Sequence, residues 1–143
     1  MKKKENPTKK YLSQIWLFDI FIRQKEAELA AIRSEIESMS AAVTGERVQT
    51  SQKDKMSDKV SQLVDIEAQI IRDKENFLHI KDRIIKEIQS IDDSVYADIL
   101  YKRYVEHKRL KEIAVEMKYS YVHIRKLHGY ALKVFEENVM QVD

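Results

Sequence analysis

The sequence predicts an all-α protein in which a long antiparallel, coiled-coil-like helical hairpin precedes a small helical domain. Two facts of composition point to helices: the 143 residues include only two Gly and one Pro, and 35% of them are charged. A chain with few turn formers and many Lys, Glu, Leu and Ile residues favours long helices. The third observation is that apolar residues recur every three, four or seven positions over two long stretches, which is the spacing of one helix face.

The first periodic stretch follows a basic tail at residues 1–10, in which Thr8 is a candidate helix N-cap. A single helix is expected from about Thr8 to Ser40, with Lys25 as the one polar interruption of its apolar face. The apolar positions of that face are Ile15, Phe18, Ile22, Leu29, Ile32, Ile36 and Met39.

The second periodic stretch is predicted to begin after Ser57 or Asp58, either of which is a suitable N-cap. Its apolar positions are Val60, Leu63, Ile66, Ile70, Phe77, Ile80, Ile84 and Ile91, and Asp73 and Glu87 fall at core-type positions. Residues 41–58 contain Gly45 and several Ser and Thr residues, so they are expected to form the connecting loop. Residues 11–91 should therefore form the hairpin.

A second apolar line widens the face of the second helix, at Val64, Ile71, Leu78, Ile85 and Ile88. A stripe this broad is wider than one partner helix needs. We therefore expect the hairpin to form a homo-oligomer.

The next predicted domain covers residues 92–137 and is followed by a short tail at 138–143. Asp92, Asp93 and Ser94 are good caps for its first helix. Its second helix has Leu110, Ile113, Ala114 and Met117 on one face, and Ala114 is small enough to let another helix approach. Lys118-Tyr119-Ser120 is predicted to form a turn in which Tyr119 fills the core. Ser120 should cap a third helix, whose inward residues are Ile124, Leu127, Ala131, Leu132 and Phe135. This is the pattern of a helix-turn-helix.

The outward residues near the start of the third helix are suited to duplex DNA, because these positions of a recognition helix enter the major groove. Arg125 offers a two-pronged donor to guanine or phosphate, and Tyr121 offers a hydroxyl and a ring. The candidate DNA-binding residues are Ser120, Tyr121, Val122, His123, Arg125, Lys126, Arg103, Arg109, Lys111 and Lys118; Lys102, Lys108 and His128 are further candidates.

Charge distribution favours the same region. Residues 100–133 carry nine basic and three acidic residues, and six of the seven tyrosines lie between Tyr96 and Tyr130. A local basic and aromatic excess is typical of a phosphate-binding surface. For any single Lys or Arg, a solvated charged face explains the residue at least as well, so the prediction depends on Tyr121 and Arg125 together.

Residues 100–137 resemble the helix-turn-helix of sigma-factor region 4. The matching pieces are Arg103-Tyr104, Leu110, Glu112-Ile113-Ala114, Ser120, Ile124-Arg125 and Ala131-Leu132-Lys133, and the segment departs from the pattern at Arg109, Lys118 and Gly129. The resemblance implies that Tyr121, Val122, Arg125 and Lys126 face promoter DNA. The whole chain, including GERVQTSQKDKMSDKV at 45–60, is similar to a family of phage and prophage proteins of unknown function from Gram-positive bacteria, which look related to ArpU-type regulators of phage transcription.

The function expected from these observations is sequence-specific duplex DNA binding by a phage or prophage transcriptional regulator. Two alternatives stay open: a packaging adaptor similar to a small terminase subunit, and a module that binds RNA polymerase. No enzyme activity, cofactor or metal is expected, since the sequence has no Cys, no Gly-rich phosphate loop and no His cluster at metal spacing. No apolar run is long enough to span a membrane, and a cytoplasmic protein is expected.

Overall fold

The computed structural model describes residues 6–42 and 50–141. Over these residues the chain is helical and contains no strand, which confirms the all-α prediction. The helices are α1 (Pro7–Leu12), α2 (Gln14–Ala42), α3 (Thr50–Gln89), α4 (Ser94–Leu100), α5 (Leu110–Met117) and α6 (Tyr121–Phe135). A π-helical turn at Tyr101–Val105 follows α4, and another at Glu136–Met140 follows α6.

The chain divides into two compact units. The terminal unit consists of Met1–Phe18 and Phe77–Asp143, and the two-helix unit consists of Asp19–Asn76. Each unit has its own buried residues and its own ion pairs, and each is described separately below.

In the two-helix unit, α2 and α3 pack against each other in antiparallel directions. Ion pairs fix this direction, because Arg33 pairs with Glu67 and, further along α2, Glu35 pairs with Lys59 nearer the start of α3. The predicted apolar face is confirmed by the burial of Ile22, Ile32 and Ile70. The one polar interruption, Lys25, is half-buried and forms an ion pair with Asp73, which explains both polar residues in the seam.

Several predicted boundaries are wrong. Asn6, not Thr8, caps the first helix by accepting from the Thr8 backbone N–H at 2.9 Å, and Thr8 is buried. The predicted single helix is divided at Ser13. Helix α3 already begins at Thr50, so residues 50–58 are not part of a loop and neither Ser57 nor Asp58 is a cap. No Gly or Pro lies between Thr50 and Asp58 to stop the helix. Residues 43–49 of the predicted loop and residues 1–5 of the predicted tail lie outside the described residues.

The terminal unit has two clusters of buried side chains. The larger one joins α1, the start of α2, the end of α3 and α6, and it includes Leu12, Ile15, Ile84, Ile88, Ile91, Leu100, Tyr104, Ala131, Leu132 and Phe135. Val139 and Met140 pack against this cluster, although the sequence placed them in a tail. Near its edge Glu87, the second polar residue predicted at a core-type position, accepts a hydrogen bond from the Tyr11 hydroxyl.

The smaller cluster holds the predicted helix-turn-helix together. It consists of Ile99 from α4, Ile113 and Ala114 from α5, and Ile124 from α6. Asp93 caps α4 by accepting from the backbone N–H groups of Val95 and Tyr96, as one of the three predicted caps. Because Ile113 and Ile124 are fully buried, their burial fixes which sides of α5 and α6 face outward.

Candidate nucleic-acid interface

The turn between α5 and α6 consists of Lys118, Tyr119 and Ser120. Lys118 adopts the left-handed conformation (φ 60°, ψ 39°), and the Tyr119 N–H bonds to the Ala114 carbonyl at 2.9 Å, which closes α5. The Ser120 hydroxyl accepts from the His123 backbone N–H at 3.1 Å and thereby caps α6, as predicted. Tyr119 does not fill the core as expected: it is 39% exposed, with its ring edge-on to His123.

The first two turns of α6 present the predicted outward residues. Ile124 is fully buried between them, while Tyr121 is 40% and Val122 is 60% exposed. Arg125 and Lys126 are also exposed. This arrangement leaves one apolar, one aromatic and two cationic side chains on a single accessible surface.

Tyr121 is the centre of a small cluster that joins α5 to α6. The Lys111 ammonium and the Arg125 guanidinium each lie 5.7 Å from the centroid of its ring. Both cations are attracted to the ring face. The three side chains are therefore held together at the start of α6. We call this set the Tyr121 cluster.

The other predicted cations are in different surroundings. Lys102 and Lys108 both pair with Glu116, at 3.1 Å and 2.6 Å, and Lys108 also pairs with Glu106 at 2.8 Å. The hydrogen bonds to Glu106 and Glu116 raise the pKa of Lys108, and the bonds from Lys108 and then Lys102 lower the pKa of Glu116. These two lysines neutralise acidic neighbours, so they are weaker candidates for phosphate contacts.

Three remaining candidates flank α5. Arg103 is half-buried and donates to the Lys108 carbonyl at 3.0 Å, which holds the segment that leads into α5. Arg109 is exposed at the start of α5, forms no side-chain cap, and lies 4.0 Å from Glu112. Lys118 is exposed in the turn.

His128 is buried and not at the surface as expected, so it is a weaker candidate for contact with DNA. It is only 7% exposed, and its Nε2 shares a 2.9 Å hydrogen bond with the Tyr104 hydroxyl. Burial, and then the nearby charges of Lys9 and Arg103, lower the pKa of His128 to about 4. Burial likewise raises the pKa of Tyr104 to about 12. The two neutral rings form an internal polar pair that joins α6 to the π-helical turn after α4.

Two cations near α6 were missed by sequence reasoning. Lys133 lies two turns after Arg125 on the same row of α6, and Lys9 of α1 lines the same cleft as Arg125 and Lys133. The position of Lys133, eight residues after Arg125 and therefore on the same row of the helix, could have indicated it from the sequence. No local signal indicates Lys9, because α1 and α6 are more than a hundred residues apart in the sequence.

Comparison of the chain with protein-family models, with curated proteins and with solved structures gave no match. None of the described helices has an apolar stretch sufficient to cross a bilayer. Among residues 6–42 and 50–141, no three His, Asp or Glu side chains are grouped so that they could hold a metal ion.

Proposed function

We propose that this protein binds duplex DNA in a sequence-specific manner through α6 and regulates transcription from phage or prophage promoters. The observation that carries the proposal is the Tyr121 cluster at the start of α6. It places a guanidinium, an ammonium and an aromatic ring on the accessible face of a helix whose N-terminus is capped by Ser120. The regulatory part of the proposal rests on the resemblance to sigma-factor region 4 and to ArpU-type proteins.

The chemistry of each side chain suits a role in reading DNA. Arg125 has no carboxylate partner among the described residues, so its two-pronged donor is free for the O6 and N7 atoms of guanine. Val122 offers an exposed apolar surface for a thymine methyl group. Lys111, Lys118 and Lys126 are exposed and suited to phosphates, which position a recognition helix without reading sequence.

The test is selection of bound sequences from a random duplex pool, followed by binding measurements on the selected site. Arg125→Ala should weaken the selected site by about 1–3 kcal/mol and relax the preference at one base position. Arg72→Ala is the matched control, because Arg72 is an exposed arginine on α3 in the two-helix unit; it should leave both unchanged. A wild-type protein that enriches no sequence at any salt concentration would refute the proposal.

Exposed apolar side chains on α3 of the two-helix unit support a second property, which is self-association. Val60, Val64 and Ile71 of α3 are exposed apolar residues, with Val64 56% and Ile71 61% accessible. An exposed apolar line on a helix is suited to a second copy of that helix. Light scattering should therefore report a dimer or larger species that Val64→Glu/Ile71→Glu dissociates.

Two measurements separate the alternatives: the mass from light scattering and the capture of RNA polymerase. A ring-sized mass would favour the packaging adaptor over the regulator. Capture of RNA polymerase that survives combined substitution of Tyr121 and Arg125 would instead favour the polymerase-binding module.

A further inference from the structure

A basic cleft adjoins the Tyr121 cluster on the other side of Arg125. It has a volume of 510 Å³ and lies between α1, the π-helical turn after α4, and α6. Four cationic side chains line it, from Lys9, Arg103, Arg125 and Lys133, and Glu136 is the acidic residue in its lining. Four positive groups around one concave space repel one another, and an anion in the cleft would relieve that repulsion.

The cations of the cleft are largely free to bind. Within the described part of the chain, Lys9 and Lys133 are exposed and have no ion-pair partner. Arg103 uses one nitrogen for the Lys108 carbonyl, which fixes its guanidinium at the cleft and leaves its other donors available. The buried ring of His128 also lines the cleft and is neutral, so it adds no further charge.

Gly129 lines the cleft beside Arg125. It lies one turn after Arg125 and one turn before Lys133 in the middle of α6, where glycine is unfavourable relative to alanine. Its φ is not positive, and a Cβ added there would meet nothing within 4 Å. Neither backbone geometry nor close packing therefore requires glycine at this position. Any longer side chain would extend into the space beside Arg125.

The cleft continues the surface proposed for DNA. Tyr121, Arg125, Gly129 and Lys133 are spaced by four residues, so they form one row along α6, about 18 Å long at 1.5 Å per residue. Arg125 belongs to both the Tyr121 cluster and the cleft. A duplex that covers the first turn of α6 would thus bring its backbone past the cleft.

We propose that this cleft binds a backbone phosphate of the duplex held by α6, so that Lys9 of α1 and Lys133 extend the DNA interface beyond the helix-turn-helix. This inference rests on the proposed function. It assigns to α1 a direct part in DNA binding, in addition to its packing against α6.

The first experiment measures the affinity of the 143-residue chain for a duplex between 50 and 200 mM salt. Each phosphate contact contributes about 0.9 to the slope of log affinity against log salt. Because both lysines face the same phosphate, Lys9→Ala/Lys133→Ala should reduce that slope by about one, without changing which sequence is preferred. Lys10→Ala/Lys53→Ala removes two exposed lysines that do not line the cleft, and it should leave the slope as in the wild type.

Substitution at Gly129 tests the cleft without removing a lysine. Gly129→Glu places a carboxylate beside the four cations and near the DNA phosphate, and this like-charge contact should weaken duplex binding at least about tenfold. Gly129→Ala should bind as the wild type does. Circular dichroism of both variants checks that α6 is intact. Equal binding by Gly129→Glu and Gly129→Ala would overturn the cleft proposal.

The outcomes separate this inference from the proposed function. Sequence-specific binding with an unchanged slope in Lys9→Ala/Lys133→Ala would leave the function standing and refute the cleft contact. If the wild type binds no duplex, both the proposed function and the cleft contact are refuted. A titration of the 143-residue chain with inorganic phosphate tests for another source of phosphate, with the NMR chemical shift of the Gly129 amide as the signal. A saturable change in that chemical shift, without duplex binding, would assign the cleft to a small phosphorylated ligand and refute the DNA contact.

Discussion

The terminal unit and the two-helix unit are stabilised in different ways. The terminal unit surrounds fully buried residues such as Leu12, Ile84 and Phe135 with helices on several sides. In the two-helix unit, the described buried residues are Ile22, Ile32 and Ile70, and four ion pairs join α2 to α3. Apolar burial is worth far more than exposed ion pairs. The proposed DNA surface therefore lies on the unit with the stronger core.

The largest expected effect is the loss of an aromatic ring from the terminal unit. Phe135→Ala empties a fully buried site and should lower the free energy of unfolding by about 3–5 kcal/mol. Phe21→Ala is the matched control in the two-helix unit, where Phe21 is 54% exposed; it should change stability by less than about 0.5 kcal/mol. Urea denaturation followed by circular dichroism measures both variants. Similar losses would show that the two units do not differ in how much apolar burial stabilises them.

Acid should also destabilise the terminal unit. Burial first, and then Lys9 and Arg103, lower the pKa of His128 from 6.5 to about 4, so the unfolded chain binds a proton more readily than the folded one. The contribution is complete above pH 6.5 and is lost as the pH falls toward 4. It amounts to about 3 kcal/mol at 1.36 kcal/mol per pKa unit.

The control for this prediction is His128→Gln, which keeps a polar side chain near Tyr104 but cannot titrate. Between pH 6.5 and 4, its free energy of unfolding should fall less steeply with decreasing pH than that of the wild type. The difference between the two slopes corresponds to the uptake of at most one proton on unfolding. Identical slopes in the two proteins would show that His128 takes up its proton at the same pH in the folded and unfolded chains, so that burial does not lower its pKa.

The half-buried ion pair of the two-helix unit should have a smaller effect. Asp73→Ala leaves the Lys25 ammonium in the seam without its partner and should cost about 1–2 kcal/mol, between the values for exposed and buried pairs. Lys25→Met/Asp73→Leu should recover that loss, because an apolar pair suits the same seam. Thermal unfolding at low and high salt measures both variants. A double variant as unstable as the single one would show that the charges are needed for the packing of α2 on α3.

The sequence predicted the features that depend on neighbours along the chain. Periodicity identified the inward residues of α6, of which Ile124, Ala131, Leu132 and Phe135 are buried, and it left Tyr121, Arg125 and Lys126 outside. The Ser120 cap was predictable because capping joins residues within one turn. These are local rules, and they located the first turns of the candidate interface.

Features that depend on distant residues were not predictable. His128 was expected at the surface, but Tyr104, 24 residues away, accommodates it in the core through a hydrogen bond. Lys102 and Lys108 were assigned to DNA because Glu116, which pairs with both, is brought to them only by folding. Lys9 was missed because its place beside α6 arises from packing between α1 and α6. Charge and spacing alone cannot distinguish a paired lysine from a free one.

The smallest expected effect concerns backbone conformation, which differs between the units. Both non-glycine residues with positive φ in the described chain, His107 and Lys118, lie in the terminal unit. Lys118 occupies the position after α5 where glycine is the usual residue. Lys118→Gly should therefore raise the free energy of unfolding by about 1 kcal/mol, because glycine adopts this conformation without the steric cost of a Cβ.

The matched substitution Lys126→Gly should have the opposite sign. Lys126 is an exposed lysine within α6, where glycine costs about 1 kcal/mol relative to a good helix former. Each change removes one exposed lysine side chain. The difference between their free energies of unfolding, measured by urea denaturation, therefore isolates the contribution of the backbone. If Lys118→Gly also destabilised the protein, contacts of the Lys118 side chain would outweigh its strained backbone, and Lys118 would then be a structural residue of the turn as well as a candidate for DNA contact.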